Sequence, residues 1–217
     1  MTFANRLDAG CQLGAVLRAH PFTDPIVVGI SRGGVPVAAE VAHLLRAPLE
    51  ICVVRKVFSP GSPAFAIGAV AECGAVYLDE AEISKLALSP AEVKRAIALE
   101  TSETERLGEL LRDQPPLALK EREVILVDDG VAAIDTLRAA ARSVRSQRPA
   151  SLTLAVPFAN STLLEKLRPD FDRVVCLVAQ EMLVALGYRD LWPVSETEVA
   201  VVLAQARRPD VPRWRAS

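Results

Sequence analysis

Short apolar runs, each giving way to a helical stretch, most limit what this chain can become. Ile26 to Ile30, Leu49 to Val54, Val124 to Val127, Leu152 to Val156 and Val174 to Val178 are near-continuous apolar segments of strand length. Helical spacing occupies the intervals: Asn5 to Ala19, Val35 to Leu45 with Pro36 in its first turn, Ser89 to Leu111, Asp135 to Arg145 and Ser161 to Leu167. A strand apolar along its whole length is covered on both faces, the condition of a parallel sheet between helices. This order specifies βαβ units and an α/β fold whose mainly parallel sheet is flanked by helices. Aromatic residues are only 5% of the chain, so Val, Leu, Ile and Ala must fill the interior.

Two segments depart from that alternation. Ala64 to Leu78 alternates and breaks around Glu72-Cys73-Gly74, which predicts a hairpin whose acids, Glu72 and Asp79-Glu80, are solvated. Phe58 to Pro63, rich in Pro, Gly and Ser, predicts a loop. The long charged helix opens with Ser89 as cap, Pro90 at its first position and Glu92 completing a capping box. No internal repeat is present, and Pro115-Pro116 is too short and central to divide the chain. One domain over 1–217 is expected, with a core over about 5–180 and a C-terminal tail over 181–217.

Charge and cysteine content exclude several classes of function. With 25 basic and 27 acidic residues the net charge is −2, so no nucleic acid or anionic membrane partner is expected without a local patch. The basic segment from Ala206 to Arg215 reads as a solvated terminus. Cys11, Cys52, Cys73 and Cys176 lie far apart without a CxxC pair, which argues against a zinc site or disulfide scaffold and for a reducing, cytoplasmic setting. No apolar run reaches the roughly 18 residues of a membrane span, and the first residues lack a signal-peptide layout. His20 and His43 lie apart, with no nucleophile motif beside them, and read as surface or packing residues.

Three loops at predicted strand ends carry the chemistry, because ligands of open α/β sheets bind beyond the carboxyl ends of strands. They are Ser31-Arg32-Gly33-Gly34, the segment opened by Arg55-Lys56, and the run Asp128-Asp129-Gly130-Val131-Ala132-Ala133-Ile134-Asp135-Thr136. Together they offer glycine backbone, cations and a carboxylate pair, a mixture suited to a phosphorylated, hydroxyl-rich ligand with a divalent metal.

Val124-Ile125-Leu126-Val127-Asp128-Asp129-Gly130-Val131-Ala132 resembles the signature of the type I phosphoribosyltransferases, in which four apolar residues precede two acids and a loop of the form G-x-A-T-G-x-T. Gly29 to Ala38 is similar to that family's pyrophosphate loop, and Arg55-Lys56 precedes a Pro/Gly-rich segment in a comparable place. The likeness runs from about Asn5 to Val178 and is nearest to a bacterial branch, some of whose members are fused to hydrolase-like domains.

The resemblance implies a small hood-like hairpin over the sheet and transfer of phosphoribosyl from phosphoribosyl pyrophosphate to a nitrogen acceptor of nucleobase type. It implies that Asp128 and Asp129 engage the ribose hydroxyls, directly or through Mg2+-bound water. Gly130, Val131, Ala132, Ala133, Ile134, Asp135 and Thr136 would then cradle the 5′-phosphate at a helix N-terminus. Ser31, Arg32, Gly33 and Gly34 would hold the pyrophosphate with Arg55 and Lys56. A homodimer stays open.

The third loop departs from the family pattern. Ala133 lacks the hydroxyl of the usual Thr, Ile134 places a β-branched side chain where glycine is usual, and Asp135 brings a negative charge towards the phosphate. Two like unit charges about 5 Å apart at an effective dielectric near 20 repel by roughly 3 kcal/mol. Two outcomes follow: the loop has lost phosphate binding, with Asp135 as an internal anion satisfying the helix N-terminus, or it is a rearranged site. The first corresponds to a non-catalytic ligand-binding or regulatory protein on the same fold. Near the last strand, Tyr188 and Trp192 either stack on a ring or tie down the tail.

Overall fold

The computed structural model describes residues 2–181 and 184–206. The expected tail residues 207–217 lie outside the described residues. Helix α1 (Arg6–Leu17) precedes strand β1 (Pro25–Ile30), helix α2 (Gly34–Leu45) and strand β2 (Leu49–Cys52). A small sheet follows: β3 (Val54–Ser59), β4 (Ser62–Ala71) and β5 (Ala75–Leu78), then helices α3 (Glu80–Lys85) and α4 (Pro90–Leu111). The chain returns through β6 (Glu123–Val127), α5 (Ile134–Ser146), β7 (Ser151–Ala159), α6 (Ser161–Leu167), β8 (Arg173–Ala179) and α7 (Glu196–Ala206), with single 3-10 turns at Arg168–Asp170 and Val184–Gly187.

The main sheet has the order β2-β1-β6-β7-β8 with every pairing parallel, for example Gly29 beside Val127 and Val127 beside Ala155. Its two faces bury separate aliphatic clusters. Val27, Ile51, Ile125 and Val127 pack with Leu13, Leu17 and Val41 of α1 and α2, and with Val199 and Leu203 of α7. Val28, Leu126 and Leu154 pack with Leu137, Ala140 and Val144 of α5 and Leu164 of α6. Each fully buried Val or Leu contributes about 1.5–3 kcal/mol, and alternate residues of each strand serve opposite faces. Among the described residues, no helix is long and apolar enough to cross a membrane.

Two expectations about strand bounds need correction. Leu49 to Val54 is not one strand: β2 ends at Cys52, and Val54 begins β3 of the antiparallel hood. The predicted loop over Phe58 to Pro63 is in fact a tight reversal at Pro60-Gly61, so Arg55 and Lys56 lie on a strand paired with Val70 and Ala69. The continuous apolar run hid the change of sheet, because periodicity cannot report that a strand has left one ladder for another.

The hood is fastened to the sheet domain through Tyr77. Arg138 of α5 donates to the Tyr77 hydroxyl at 2.8 Å, and the guanidinium carbons of Arg138 and Arg142 lie 5.2 and 5.0 Å from the ring centroid. Glu72, expected in solvent at the hairpin tip, instead accepts two bonds from Arg112 and one from the Val53 amide. Arg112 also reaches Glu50 at 2.9 Å and the Ile51 carbonyl at 2.7 Å. The turn is drawn inward because a buried guanidinium needs its donors met.

Candidate active site

Strands β1 and β6 are neighbours, so their carboxyl ends bring two of the predicted loops together. Gly33 and Gly34 turn directly against the acid pair. A side chain at Gly34 would meet the Val127 carbonyl oxygen at 2.7 Å and the Asp128 Cα at 2.9 Å, and one at Gly33 would collide with the Asp129 carboxylate. Glycine is required here for close approach, since both residues keep negative or unremarkable φ. The Ser31–Arg32 peptide is cis. The Ser31 hydroxyl accepts from the Val54 amide at 3.1 Å, tying this loop to the start of the hood. Arg32 is exposed.

Within the acid pair the two carboxylates have different surroundings. Asp128 lies deep in the site, and burial, then the charge of Asp129, raises its carboxyl well above the usual range. A hydrogen bond from the Asp129 amide to Asp128 Oδ1 at 2.9 Å works in the opposite direction. Asp129 is met by Arg6 at the head of α1: Nε lies 2.8 Å and Nη2 2.7 Å from Oδ2. The Tyr188 hydroxyl donates to the Asp129 carbonyl at 2.6 Å, and burial raises the phenol out of its ordinary range.

The loop after the acids divides into two functions. Val131 is fully buried and forms a parallel bridge with Ala159, its amide donating to the Phe158 carbonyl at 3.0 Å. Val131 therefore leaves the expected phosphate cradle, because its N–H is used to extend the sheet. Ala132 to Thr136 turn into α5, whose N-cap is Ala133 with no side-chain capping bond. The first amides of a 13-residue helix are thus left without a side-chain acceptor. Asp135 does not cap them. Its half-buried carboxyl is raised by burial first and by Asp79 second, with Lys56 and Arg138 opposing. Asp135 stands in the first turn of α5, where the helix dipole favours an anion, but makes no hydrogen bond to those amides.

Arg55 and Lys56 approach from the hood. Arg55 Nε is paired with Glu100 of α4 at 2.6 Å, while Lys56 is exposed and close enough to Asp135 to influence its proton affinity. Among the described residues, no group of three or more His, Cys, Asp or Glu could hold a metal ion. Two carboxylates suit a divalent cation that keeps most of its water, as Mg2+ does. The described cysteines are all free thiols. Tyr188 packs on Phe3, ring centroids 5.6 Å apart, so it serves the interior rather than offering a stacking face.

Arg6 is not among the predicted site residues, and Tyr188 is read from the sequence only as a stacking ring or a tail anchor, not as a partner of Asp129. Arg6 stands 123 residues from Asp129 in the chain, and an arginine in the first turn of a helix carries no local pattern that announces such a partner.

An acid pair closing a central parallel strand, a glycine turn packed against it and an uncapped helix behind it define an open α/β protein with its candidate site beyond the carboxyl ends of the strands. Residues 13–189 match the phosphoribosyl transferase domain, and the chain belongs to that family. Over 214 residues it is 36% identical to the Mycobacterium tuberculosis H37Rv protein named "Putative phosphoribosyl transferase Rv0571c", covering 95% of this chain and 47% of that protein. The chain spans about half the length of the curated relatives it matches. The crystal structure of TT1426 from Thermus thermophilus superposes with a TM-score of 0.79 at 34% identity, covering 94% of this chain and 99% of that one. The AQ2163 protein from Aquifex aeolicus, at 13% identity and a TM-score of 0.50, shares the fold, over 84% of this chain and 78% of that one. The α/β fold read from the sequence is that of the type I phosphoribosyltransferases.

Proposed function

We propose that this chain binds phosphoribosyl pyrophosphate and transfers its phosphoribosyl group to a nitrogen acceptor of nucleobase type. The observation that carries this reading is the uncapped N-terminus of α5 directly behind the Asp128–Asp129 pair. Amides of Ile134, Asp135 and Thr136 present donors and a positive dipole end to a 5′-phosphate. Asp128 and Asp129 receive the ribose hydroxyls, and the turn at Arg32-Gly33-Gly34 holds the pyrophosphate, with Lys56 nearby. Mg2+ held by donor oxygens and by water on the acid pair would supply charge neutralisation of the leaving pyrophosphate. As the C1′–O bond breaks and the C1′–N bond forms, the donors fixed around the pyrophosphate stabilise the charge that leaves with it.

A second reading, a ligand-binding protein without turnover, is favoured by Asp135, whose carboxylate stands in the first turn of α5. The deciding measurement is calorimetric titration of Mg2+ and phosphoribosyl pyrophosphate into the wild type and into Ala133→Thr, Ile134→Gly, Asp135→Ala combined. Pyrophosphate release is then assayed against a panel of purine and pyrimidine bases. Wild-type binding with release supports transfer, and binding without release from any base supports the second reading. A silent wild type beside a repaired variant that binds the donor also supports the second reading, and silence from both sinks the donor reading.

A further inference from the structure

Asp129, which the proposed reading gives to the ribose hydroxyls, is already engaged. Arg6 places Nε and Nη2 on the single oxygen Oδ2 at 2.8 and 2.7 Å, and its remaining nitrogen, Nη1, donates to the Trp192 carbonyl at 2.6 Å. The Arg6 and Asp129 side chains are 14% and 19% exposed, so the pair is shielded from bulk ions and screened only weakly. A ribose diol or a hydrated divalent cation approaching Asp129 therefore meets a cation already in place.

The same contact holds a strap. The Phe3 amide donates to the Gly187 carbonyl at 2.8 Å, and the Arg189 and Asp190 amides donate to Phe3 and Ala4 carbonyls at 2.9 and 3.0 Å. Segments 3–6 and 187–192 are thus zipped together. They grip Asp129 twice, at its carboxylate through Arg6 and at its carbonyl through Tyr188. Both bonds made by the Arg6 fork to Asp129 fall on one oxygen rather than spanning the carboxylate, an arrangement weaker than the two-oxygen pairing that arginine favours. A weaker pair is one that a better ligand can replace.

We propose that Arg6 is a built-in occupant of the acid pair: it latches Asp129 to the 187–192 strap at rest, and a ligand that takes Asp129 must displace it and loosen the strap. The identity of the displacing ligand rests on the proposed phosphoribosyl donor reading. The latch itself is defined by the chain's own residues.

The test uses Arg6→Ala, Arg6→Lys and Asp129→Asn in the full chain, with two probes, Mg2+ alone and Mg2+ with phosphoribosyl pyrophosphate. Calorimetry should show Arg6→Ala binding the probes about tenfold more tightly than the wild type, a gain of about 1.4 kcal/mol, with Arg6→Lys between them. Hydrogen exchange at the Arg189 and Asp190 amides should quicken in Arg6→Ala and Asp129→Asn without ligand, and in the wild type on ligand binding. Binding in Arg6→Ala that is equal to or weaker than wild type overturns the latch, as does unchanged exchange in both variants. If the wild type binds the donor and Arg6→Ala binds it no better, the latch fails and the donor reading stands. If no variant responds to the donor, yet Arg6→Ala gains affinity for Mg2+ and both variants exchange faster, the donor reading fails and the latch stands.

Discussion

Two clusters in this molecule have the same composition, two carboxylates and one arginine, and opposite character. In the first, Arg112 spends its nitrogens on Glu50, Glu72 and the carbonyls of Ile51 and Gly108, while amides of Ile51, Val53 and Leu117 meet the remaining carboxylate capacity. In the second, Arg6 reaches only one oxygen of Asp129, and Asp128 receives its neighbour's amide. A saturated buried network fixes structure, and a half-satisfied one keeps capacity for a ligand. The first cluster joins β2 to the hood and the end of α4. The second lies at the carboxyl end of β6, facing a glycine turn. The difference separates a fastener from a site more clearly than the identity of the residues does.

The largest expected effect breaks the fastener. Arg112→Met leaves Glu50 and Glu72 buried without their cation, and should cost about 3–5 kcal/mol, read as a lower urea midpoint. A loss below about 1 kcal/mol would mean that the cluster is solvated and the contrast is false.

Next come the glycines beneath the acid pair. Gly34→Ala forces a methyl against the Val127 carbonyl and the Asp128 backbone, which cannot yield as a side chain can, and should cost about 1–3 kcal/mol. Gly33→Ala meets mainly the Asp129 side chain. It should cost less stability than Gly34→Ala while displacing Asp129 from Arg6, detected as faster exchange at Arg189 and Asp190. Equal destabilisation by the two would show that the acid pair is as rigid as the backbone.

The smallest effect is the pH response of the half-satisfied cluster. The folded Asp128 carboxyl is raised above its unfolded value by burial and by Asp129, so the folded state binds the extra proton. Stability should therefore fall as pH rises from about 4, the unfolded range of Asp, towards the raised folded value. Asp128→Asn should flatten that slope and leave stability below about pH 4 unchanged. Asp135 is raised in the same direction, and Asp135→Asn should remove a further, weaker part of the slope. Urea midpoints measured across the pH range check both, and superimposable wild-type and Asp128→Asn curves would refute the assignment.

Much of the architecture is legible in the sequence because it is written in local patterns. The apolar runs mark the main strands, and Ser89-Pro90…Glu92 marks the start of α4, where both bonds of the capping box are present. Helix α7 escaped although Ser195…Glu198 marks its start with a capping box of the same kind. The other misses lack a local pattern: β2 and β3 read as one run, and Glu72 reads as solvated because nothing near it in sequence announces Arg112, 40 residues on. For the site, Asp128-Asp129-Gly130 and Gly33-Gly34 are visible as punctuation after strands, while Val131 reads as part of the phosphate loop although its amide extends the sheet.

The sequence by itself determined the α/β alternation, the loops at the strand ends and the family, because hydrophobic periodicity and glycine and acid punctuation act over a few residues. Only the tertiary structure decided which of two chemically similar charge clusters is a fastener and which is a site. That depends on how many of each group's hydrogen bonds are met by partners as far as 123 residues away, and satisfaction of a buried charge is a property of the packed whole.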